Sequence, residues 1–401
     1  IISVEEVVSI KKIVAEWRII KMKKRVGLLL IAITICFFSL GCNKTATIDN
    51  HIFETDLKSD SGYTWKSLRM DNEYIDNIEC LVDDNIVYSK YENGDTNLVF
   101  YNYNITDKQT YRLGSIKDPY INSGDVVVVG NKVFFYCNRV VGTEKYPDGK
   151  LENSLYKINV GNHKLQKIAS DSTDQTLIYV KVCKDKIISL KGKKNKKKSI
   201  TYLDSYDVSG GKNKKFDVLI SKDYNRKKEN GKVLYNFAVY QSKIYALVRL
   251  RNSSGKDSWI IEKYNCAGNY IDSLKLDKKI INLLKNERIS KFEMSGKYGF
   301  IRTFSGSGVL FRVASGKTVA KIINKIDLDI AIPGRDKKAN YALVYSRDTG
   351  EIWNIDSRHN KLNKIDLPYE YLNYLYTDNG KILISSDNTV YGELDSFLTK
   401  K

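Results

Sequence analysis

The stretch Ile158-Asn159-Val160-Gly161-Asn162-His163 decides the fold, because the turn that it encodes recurs along the chain. Each copy has an apolar residue, then Asn or Asp, then turn residues, and consecutive copies lie 39 to 58 residues apart. An Asn or Asp side chain in this place accepts a hydrogen bond from the backbone two residues on and so starts a chain reversal. The other copies are Tyr103-Asn104, Tyr206-Asp207, Tyr264-Asn265, Ile355-Asp356 and Leu394-Asp395, with Val313-Ala314 holding the same place without the polar side chain.

A second marker, a short polar turn, precedes a run of β-branched and aromatic residues in each unit. Examples are Asp84-Asn85 before Ile86-Val87-Tyr88 and Asn131-Lys132 before Val133-Phe134-Phe135. With both markers each unit reads as four short strands, A to D in chain order, with tight A–B and C–D turns. Self-similarity at this period predicts an all-β fold, a β-propeller of seven four-stranded blades. Six or eight blades are the alternatives, because the unit at 327–366 is the least regular.

The two ends of the repeat region predict how the ring closes. The seventh unit stops after its C strand, near Leu394, and has no room for a D strand. The segment from Tyr63 to Met70 has an extended pattern and no local partner. We expect it to supply the missing strand and so to remove two exposed sheet edges. The propeller then spans 63–397.

The segment 22–42 has the features of a leader sequence. Lys23, Lys24 and Arg25 are followed by 15 residues without a charge, and then by Gly41 and Cys42. This apolar run suffices for a signal peptide but is shorter than the roughly 20 residues of a transmembrane helix. An uncleaved signal anchor is the alternative.

The tetrapeptide Ser39-Leu40-Gly41-Cys42 resembles the lipobox of bacterial lipoproteins. The resemblance implies that residues 22–41 are removed as a signal peptide and that Cys42 carries diacylglycerol. It places the chain on the outer leaflet of the cytoplasmic membrane of a Gram-positive bacterium, facing outward. Residues 42–62 would then be the lipidated Cys42 and a polar tether. We interpret residues 1–21 as upstream translation that is not native, with a genuine extension as the alternative.

The repeat region resembles the TolB-like and low-density-lipoprotein-receptor-like β-propellers of bacterial surface lipoproteins. The similarity covers 63–397 and depends on Tyr88-Ser89 with Leu98 and on the repeated turns. It implies the fold without specifying an activity, because propellers have many unrelated functions.

Charge and loop length single out one face. The net charge is +19 for the whole chain and +15 without residues 1–41, and residues 181–233 contain 17 Lys or Arg against six Asp or Glu. The long predicted loops, 138–153, 191–199, 221–232 and 251–257, all lie at the B–C and D–A end, where binding sites of rigid scaffolds occur. The candidate binding residues are Tyr146, Asp148, Lys193, Lys194, Lys196, Lys197, Lys198, Arg226, Lys227 and Lys228.

A basic patch outside a Gram-positive cell would meet teichoic acid, an acidic polysaccharide or another surface protein, through contacts that salt weakens. The alternative is a solvated lysine-rich loop from an AT-rich genome. We expect no nucleic-acid partner, because the compartment is wrong and no recognition motif occurs.

Signals for catalysis are missing from the sequence. The three histidines are His51, His163 and His359, and no hydrolase, zinc or phosphate-loop motif occurs. We expect neither a cofactor nor a metal. Cys80, Cys137, Cys183 and Cys266 lie on different units without metal-ligand spacing, and we interpret them as buried thiols rather than disulfide partners. The favoured function is a non-catalytic binding or assembly module. The alternative is a surface enzyme acting on carbohydrate, with two carboxylates in the central channel about 5 to 10 Å apart.

Overall fold

The structure is a computed structural model, and the residues that it describes belong to one compact unit within Thr47–Lys401. They are 47–48, 52–58, 64–70, 77–92, 97–117, 126–143, 146–171, 175–184, 186–195, 198–207, 221–222, 231–252, 254, 256–285, 289–295, 298–322, 328–331, 343–347, 349–356, 361–365, 372, 374–385, 389–394 and 396. The predicted leader at 22–41, Cys42 and residues 1–21 lie outside this part of the chain. Among the described residues, no helix has both the length and the apolar character that a membrane crossing requires.

The described strands of the first half of the chain follow the predicted units. They are β1 (Thr47–Ile48), β2 (Ile52–Lys58), β3 (Thr64–Met70), β4 (Asn77–Val82), β5 (Asn85–Glu92), β6 (Asn97–Asn104), β7 (Gln109–Lys117), β8 (Val127–Val129), β9 (Lys132–Thr143), β10 (Tyr146–Asn159), β11 (Lys164–Asp171), β12 (Gln175–Cys183), β13 (Lys186–Asn195), β14 (Lys198–Asp207) and β15 (Ser221–Lys222).

The second half continues the pattern and adds one helix. Its elements are β16 (Gly231–Tyr240), β17 (Lys243–Arg251), β18 (Asp257–Asn265), β19 (Tyr270–Lys275), α1 (Lys278–Lys285), β20 (Ile289–Ser295), β21 (Tyr298–Thr303), β22 (Gly308–Arg312), β23 (Thr318–Ile322), β24 (Leu328–Ala331), β25 (Leu343–Ser346), β26 (Ile352–Asp356), β27 (Lys361–Ile365), β28 (Tyr374–Asp378), β29 (Lys381–Ser385) and β30 (Thr389–Glu393).

These strands form seven antiparallel sheets in the described part of the chain, which we number sheets 1 to 7. Within each sheet, the strands of one unit pair in chain order. The orders are β1-β7-β6-β5-β4, β11-β10-β9-β8, β12-β13-β14-β15, β16-β17-β18-β19, β20-β21-β22-β23, β24-β25-β26-β27 and β2-β3-β30-β29-β28.

The first strand of each unit faces the centre of a ring. Contacts join β8 to β12, β12 to β16, β16 to β20, β24 to β28, and β28 back to β4. Contacts between the first strands of successive sheets, returning from the last sheet to the first, place these strands around a central channel. We call β4, β8, β12, β16, β20, β24 and β28 the inner strands.

The predicted closure by the N-terminal segment is confirmed, and a further strand accompanies it. Strand β3 pairs with β30, with Lys66 opposite Tyr391. Strand β2 pairs with β3 over its whole length, and β1 pairs with β7 of sheet 1. Residues 47–48 and 52–58 therefore belong to the sheets, and the prediction of a tether over 42–62 is wrong for them. Side-chain contacts from distant units hold β2 in place, because its Glu54 accepts hydrogen bonds from Tyr103 and Tyr391.

The predicted turn chemistry is confirmed at three units. The Oδ1 atom of Asn104 accepts hydrogen bonds from the backbone N–H groups of Thr106 and Asp107. Asn159 accepts one from Gly161, and Asn265 accepts those of Ala267 and Asn269. The polar residue of the repeat thus starts the C–D turn, as the sequence predicts.

Helix α1 was not predicted, although the sequence contains a start signal for it. Asp277 Oδ1 accepts the backbone N–H of Ile280 at 2.9 Å, which is the contact of a helix N-cap. Ile280, Leu283 and Leu284 then bury one face of the helix in the apolar core that sheets 4 and 5 share. The spacing of these three residues from Asp277 is typical of a short amphipathic helix.

Two of the four cysteines that were predicted to be buried thiols form a disulfide, so that prediction is wrong for Cys183 and Cys266. Their Cα atoms are 5.6 Å apart, within the range that a disulfide spans. Cys183 ends the inner strand of sheet 3, and Cys266 follows the third strand of sheet 4. The A–B and C–D ends of neighbouring sheets meet there, which brings the two residues together. Cys80 and Cys137 are buried and do not belong to this disulfide.

Candidate binding site in the central channel

The structure places the predicted basic residues on hairpins instead of loops. Lys193 and Lys194 lie in β13 and Lys198 in β14, where Asn195 pairs with Lys198. Tyr146 and Asp148 lie in β10, and Tyr146 pairs with Thr143 of β9. Lys196, Lys197, Arg226, Lys227 and Lys228 lie outside the described residues.

The predicted loops 138–153 and 191–199 are therefore wrong as loops, because the B and C strands continue through most of both segments. A continued ladder pairs the backbone N–H and C=O groups along both segments. The B–C hairpins are long in sheets 2 and 3, where β9 has 12 residues and β13 has 10. They are short in sheets 5 and 7, where β21 has six residues and β29 has five. The B–C hairpins of sheets 2 and 3 are therefore longer than those of sheets 5 and 7 and project further from that end of the ring.

Lys191, at the edge of the predicted basic loop, is not part of a solvent-exposed patch. Its side chain is 1% exposed, and its Nζ lies 2.9 Å from Asp204 Oδ2. A buried lysine paired with a carboxylate contributes to the packing of sheet 3 and is not accessible to a polymer.

The inner strands of four sheets contain β-bulges. The register between the first and second strands shifts at Glu79 in β4, at Ile178 in β12, at Tyr235 in β16 and at Ser290 in β20. A bulge re-aims the side chain of the extra residue, and bulges are over-represented beside functional sites. The last three bulges each lie five residues before the end of their strand. They are therefore at the same height along the channel wall.

Two contacts cross the channel between sheets 3 and 5. Lys181 of β12 forms an ion pair with Glu293 of β20, and the Tyr179 hydroxyl donates to the Ser290 carbonyl at 2.5 Å. The inner strand of sheet 4 lies between β12 and β20 in the ring. These side chains therefore meet across the central channel and brace it.

Glu79 is the one bulge carboxylate among the inner strands described. It accepts a hydrogen bond from Ser89 Oγ, on the neighbouring strand β5, at 2.6 Å. Burial raises the pKa of Glu79, and the hydrogen bond from Ser89 offsets part of this effect. Burial also raises the pKa of Tyr376, on the inner strand of sheet 7, and the charge of Glu79 adds to that shift. Glu79 and Tyr376 are thus close enough to interact at the junction of sheets 7 and 1.

One of the three histidines, His163, lies in the described part of the chain. His163 stacks on Tyr111 of β7 with ring centroids 3.9 Å apart, at the C–D end of sheets 1 and 2. His51 and His359 lie outside the described part of the chain. No group of three or more His, Cys, Asp or Glu side chains suited to a metal ion occurs within the described ranges.

Sequence reasoning missed the channel residues for a physical reason. A bulge has no residue signature of its own, and Lys181 and Glu293 belong to units separated by a third unit. The β-strand pattern around Tyr179 and Lys181 could have identified an inner strand that places a lysine in the ring centre. The cross-channel partner depends on ring closure, which a local pattern does not encode.

Comparison with solved structures supports the architecture. Oligogalacturonate lyase from Vibrio parahaemolyticus is 11% identical, with 87% of this chain and 97% of that chain covered and a TM-score of 0.53. The fold is a β-propeller. Weaker similarities are found to the β-propeller domain of the Trilobed protease from Pyrococcus furiosus, at 11% identity, 82% and 97% coverage and a TM-score of 0.45, and to BamB from Moraxella catarrhalis, at 10% identity, 86% and 95% coverage and a TM-score of 0.41.

Identities this low concern the fold alone. The sequence matches no protein-family model, and it matches none of the curated proteins with which it was compared. The function therefore has to be argued from the site.

Proposed function

We propose that this chain is a lipid-anchored, extracytoplasmic β-propeller that acts as a non-catalytic binding or assembly module. Its ligand would be an anionic polymer of the cell envelope, held by the B–C end of the ring. The long B–C hairpins of sheets 2 and 3 support this proposal, because the hairpin of sheet 3 carries a lysine-rich segment on a rigid scaffold. The lysines of β13 and β14 would supply its positive potential.

The disulfide supports an extracytoplasmic location. Disulfides persist in oxidising compartments and are rare in the cytosol of most organisms. Together with the lipobox-like Ser39-Leu40-Gly41-Cys42, the Cys183–Cys266 bond fits a chain that is exported and anchored through Cys42. A Cys42→Ala variant should stay unprocessed or be shed into the medium. Unchanged acylation and membrane retention of this variant would refute the anchor.

The binding proposal is tested with purified teichoic acid as the probe. Replacing Lys193, Lys194, Lys196, Lys197 and Lys198 with Ser should weaken binding at low salt at least tenfold and make its salt dependence shallower. A matched control replaces Lys164, Lys184, Lys275, Lys279 and Lys317, which are exposed and lie outside the hairpin. Equal affinity of the hairpin variant and the wild type would refute a polymer-binding role for these lysines. Binding to anionic vesicles but not to teichoic acid would reassign the surface to the membrane.

One observation favours the alternative, an enzyme acting on carbohydrate. Glu79 has a raised pKa at a bulge in the channel wall, which is a property of general acids. Glu293, on the inner strand of sheet 5, forms an ion pair with Lys181 and is therefore a poor candidate for its partner. Hydrolysis of an acidic polysaccharide by the wild type, abolished in Glu79→Gln, would replace the binding module by this alternative.

A further inference from the structure

Very little chain separates the propeller from the proposed lipid anchor. Strand β1 begins at Thr47, so only residues 43–46 lie between it and Cys42. A chain of five residues spans at most about 18 Å when it is fully extended. Whatever conformation these residues take, an anchor on Cys42 therefore holds β1 within about that distance of the membrane surface.

Strand β1 lies on the outer edge of sheet 1. It pairs antiparallel with β7, with Thr47 opposite Tyr111. Followed backward, β1 therefore runs along β7 toward the C-terminal end of that strand. This end of β7 lies at the B–C end of the ring, because Lys117 pairs with Asn97 beside the B–C hairpin. The chain that leads to Cys42 leaves sheet 1 in this direction.

The part of β7 that β1 leaves uncovered is positively charged. Strand β7 contains Arg112 and Lys117 and no Asp or Glu. Both side chains are exposed, and Arg112 also interacts with the Tyr101 hydroxyl on β6. Beyond Tyr111, no further strand covers the outer edge of β7 among the described residues. Arg112 and Lys117 therefore lie on an open edge beside the point where the anchor chain joins the sheet.

The outer strands of the neighbouring sheet 7 strengthen this positive charge. Strands β1, β2, β3 and β7 together contain five Lys or Arg and two Asp or Glu. The two acidic residues are Glu54, which forms an ion pair with Lys108, and Asp56, which forms one with Lys66. The outer edge of sheets 7 and 1 is therefore net positive, which suits an anionic surface.

An exposed aromatic residue lies at the same corner of sheet 1. Tyr91 of β5 is 39% exposed. It pairs with Leu98, and Leu98 pairs with Ile116, the neighbour of Lys117. Tyrosine is enriched at membrane–water interfaces, where its ring meets the apolar side and its hydroxyl the polar side. Tyr91 and the cations of β7 thus combine the two residue types that favour a headgroup region.

A second exposed apolar surface lies on the far side of the ring. Tyr270 and Ile271, on the outer strand β19 of sheet 4, are 55% and 44% exposed. Four strands at a spacing of about 4.8 Å are about 14 Å across, so the outer edges of two opposed sheets lie about 28 Å apart or more. The reach of the anchor chain from β1 is shorter than this separation. Strand β19 is therefore a reference surface that is apolar but remote from the anchor.

We propose that the outer edge of sheet 1, with Arg112, Lys117 and Tyr91, contacts the anionic phospholipid headgroups of the membrane in which Cys42 is anchored. This orientation rests on the anchor under the proposed function. Headgroup phosphates attract Lys and Arg side chains near the bilayer surface, and the short anchor chain keeps these side chains there. The lysine-rich hairpin of sheet 3 lies two sheets away and stays accessible to a polymer.

The test attaches the mature form, residues 42–401, to vesicles through Cys42 itself. This form contains every described strand. Its other cysteines are buried or joined in the disulfide, so a maleimide-bearing phospholipid reacts at Cys42. Hydrogen–deuterium exchange is measured on vesicles that contain phosphatidylglycerol, on vesicles of phosphatidylcholine alone, and on the uncoupled protein.

On vesicles with phosphatidylglycerol, we expect amide exchange in 109–117 to slow about threefold or more relative to the uncoupled protein. Exchange in 270–275, the reference strand β19, should stay unchanged. The double variant Arg112→Gln, Lys117→Gln should lose the slowing. The matched control Lys275→Gln, Lys317→Gln removes two exposed charges from sheets 4 and 5 and should retain it.

Several results would overturn the proposal. They are unchanged exchange in 109–117, equal slowing in 270–275, equal slowing on phosphatidylcholine alone, and slowing that survives in the Arg112→Gln, Lys117→Gln variant. Because the coupling to Cys42 is chemical, none of them depends on acylation in the cell. The Cys42→Ala variant tests that acylation separately, so failure of the anchor and failure of this orientation are distinguishable.

Discussion

Cys183 and Cys266, which are 83 positions apart in sequence, join the inner strand of sheet 3 to the C–D turn of sheet 4. The bond therefore cross-links two neighbouring sheets of the ring. It lies at the A–B and C–D end, opposite the proposed polymer-binding surface. Both residues are buried in the apolar core that these two sheets share.

Removal of this bond should destabilise the protein strongly. A cross-link between residues 83 positions apart lowers the conformational entropy of the unfolded chain. In the chain-entropy model this stabilises the folded state by about 4.5 kcal/mol. We expect the double variant Cys183→Ser, Cys266→Ser to unfold at a lower urea concentration than the wild type. Its free energy of unfolding should be lower by a similar amount. A reducing agent should lower the midpoint of the wild type and leave that of the double variant unchanged. Identical midpoints for oxidised wild type and double variant would contradict the bond.

The cross-channel ion pair gives a second prediction. The side chains of Lys181 and Glu293 are 15% and 4% exposed, so removing one partner leaves a nearly buried charge. Lys181→Met should lower the free energy of unfolding by about 3–5 kcal/mol. The double variant Lys181→Met, Glu293→Leu should recover most of this loss, because no unpaired charge remains. The more exposed pair Lys263–Asp272 is the control, and Lys263→Met should hardly move the urea midpoint. Additive effects of the two channel substitutions would show that the pair is not coupled.

Glu54 predicts how stability depends on pH. Its Oε1 accepts hydrogen bonds from Tyr391 at 2.8 Å and Tyr103 at 3.0 Å, and it forms an ion pair with Lys108. Burial alone would raise the pKa of Glu54, but Lys108, Tyr391 and Tyr103 outweigh it and lower the pKa below 4.5. A carboxyl with a lowered pKa in the folded state stabilises the protein above its unfolded pKa and loses this contribution as pH falls through the folded pKa.

We therefore expect the wild type to lose stability below about pH 4.5 more steeply than Glu54→Gln does. At pH 7 the variant should be the less stable of the two. Urea unfolding at a series of pH values measures both effects. Parallel curves for the two proteins would show that Glu54 does not contribute to acid sensitivity.

Gly299 predicts a packing requirement inside sheet 5. A Cβ atom at this position would lie 2.1 Å from the ring of Phe311, which is fully buried. Gly299→Ala should destabilise the protein by about 1–3 kcal/mol, because the ring has no free space to enter. Gly130→Ala serves as a comparison for space, since nothing lies within 4 Å of its Cβ position, although its positive φ adds backbone strain. In Phe311→Leu, which removes the ring edge, the added cost of Gly299→Ala should become smaller. An unchanged cost in that background would exclude the ring contact as the cause.

The sequence predicts the repeated parts of this fold and misses the parts that depend on distant contacts. Turns such as Asn159-Val160-Gly161 are local, and their Asx hydrogen bonds form as predicted. The pairing of β3 with β30 follows from counting strands in the last unit. The sequence predicts a tether where strand β2 lies, because nothing local shows that Glu54 contacts Tyr103 and Tyr391.

The candidate sites were less predictable than the fold. Charge alone identifies the lysine-rich segment, but it predicts a loop where the structure has paired strands, and it includes the buried Lys191 in that loop. The channel residues gave no signal, because Lys181 and Glu293 belong to units that a third unit separates in sequence. Only the closed ring brings them together.

The pairing of β3 with β30 also imposes an order on biosynthesis. During synthesis β3 emerges before every unit of the repeat, while β30, its partner through Lys66 and Tyr391, emerges last. Throughout that interval, β3 presents an unpaired edge that can recruit other chains. A nascent or truncated chain that lacks β30 is consequently the form of this protein most exposed to aggregation and to chaperone or protease binding.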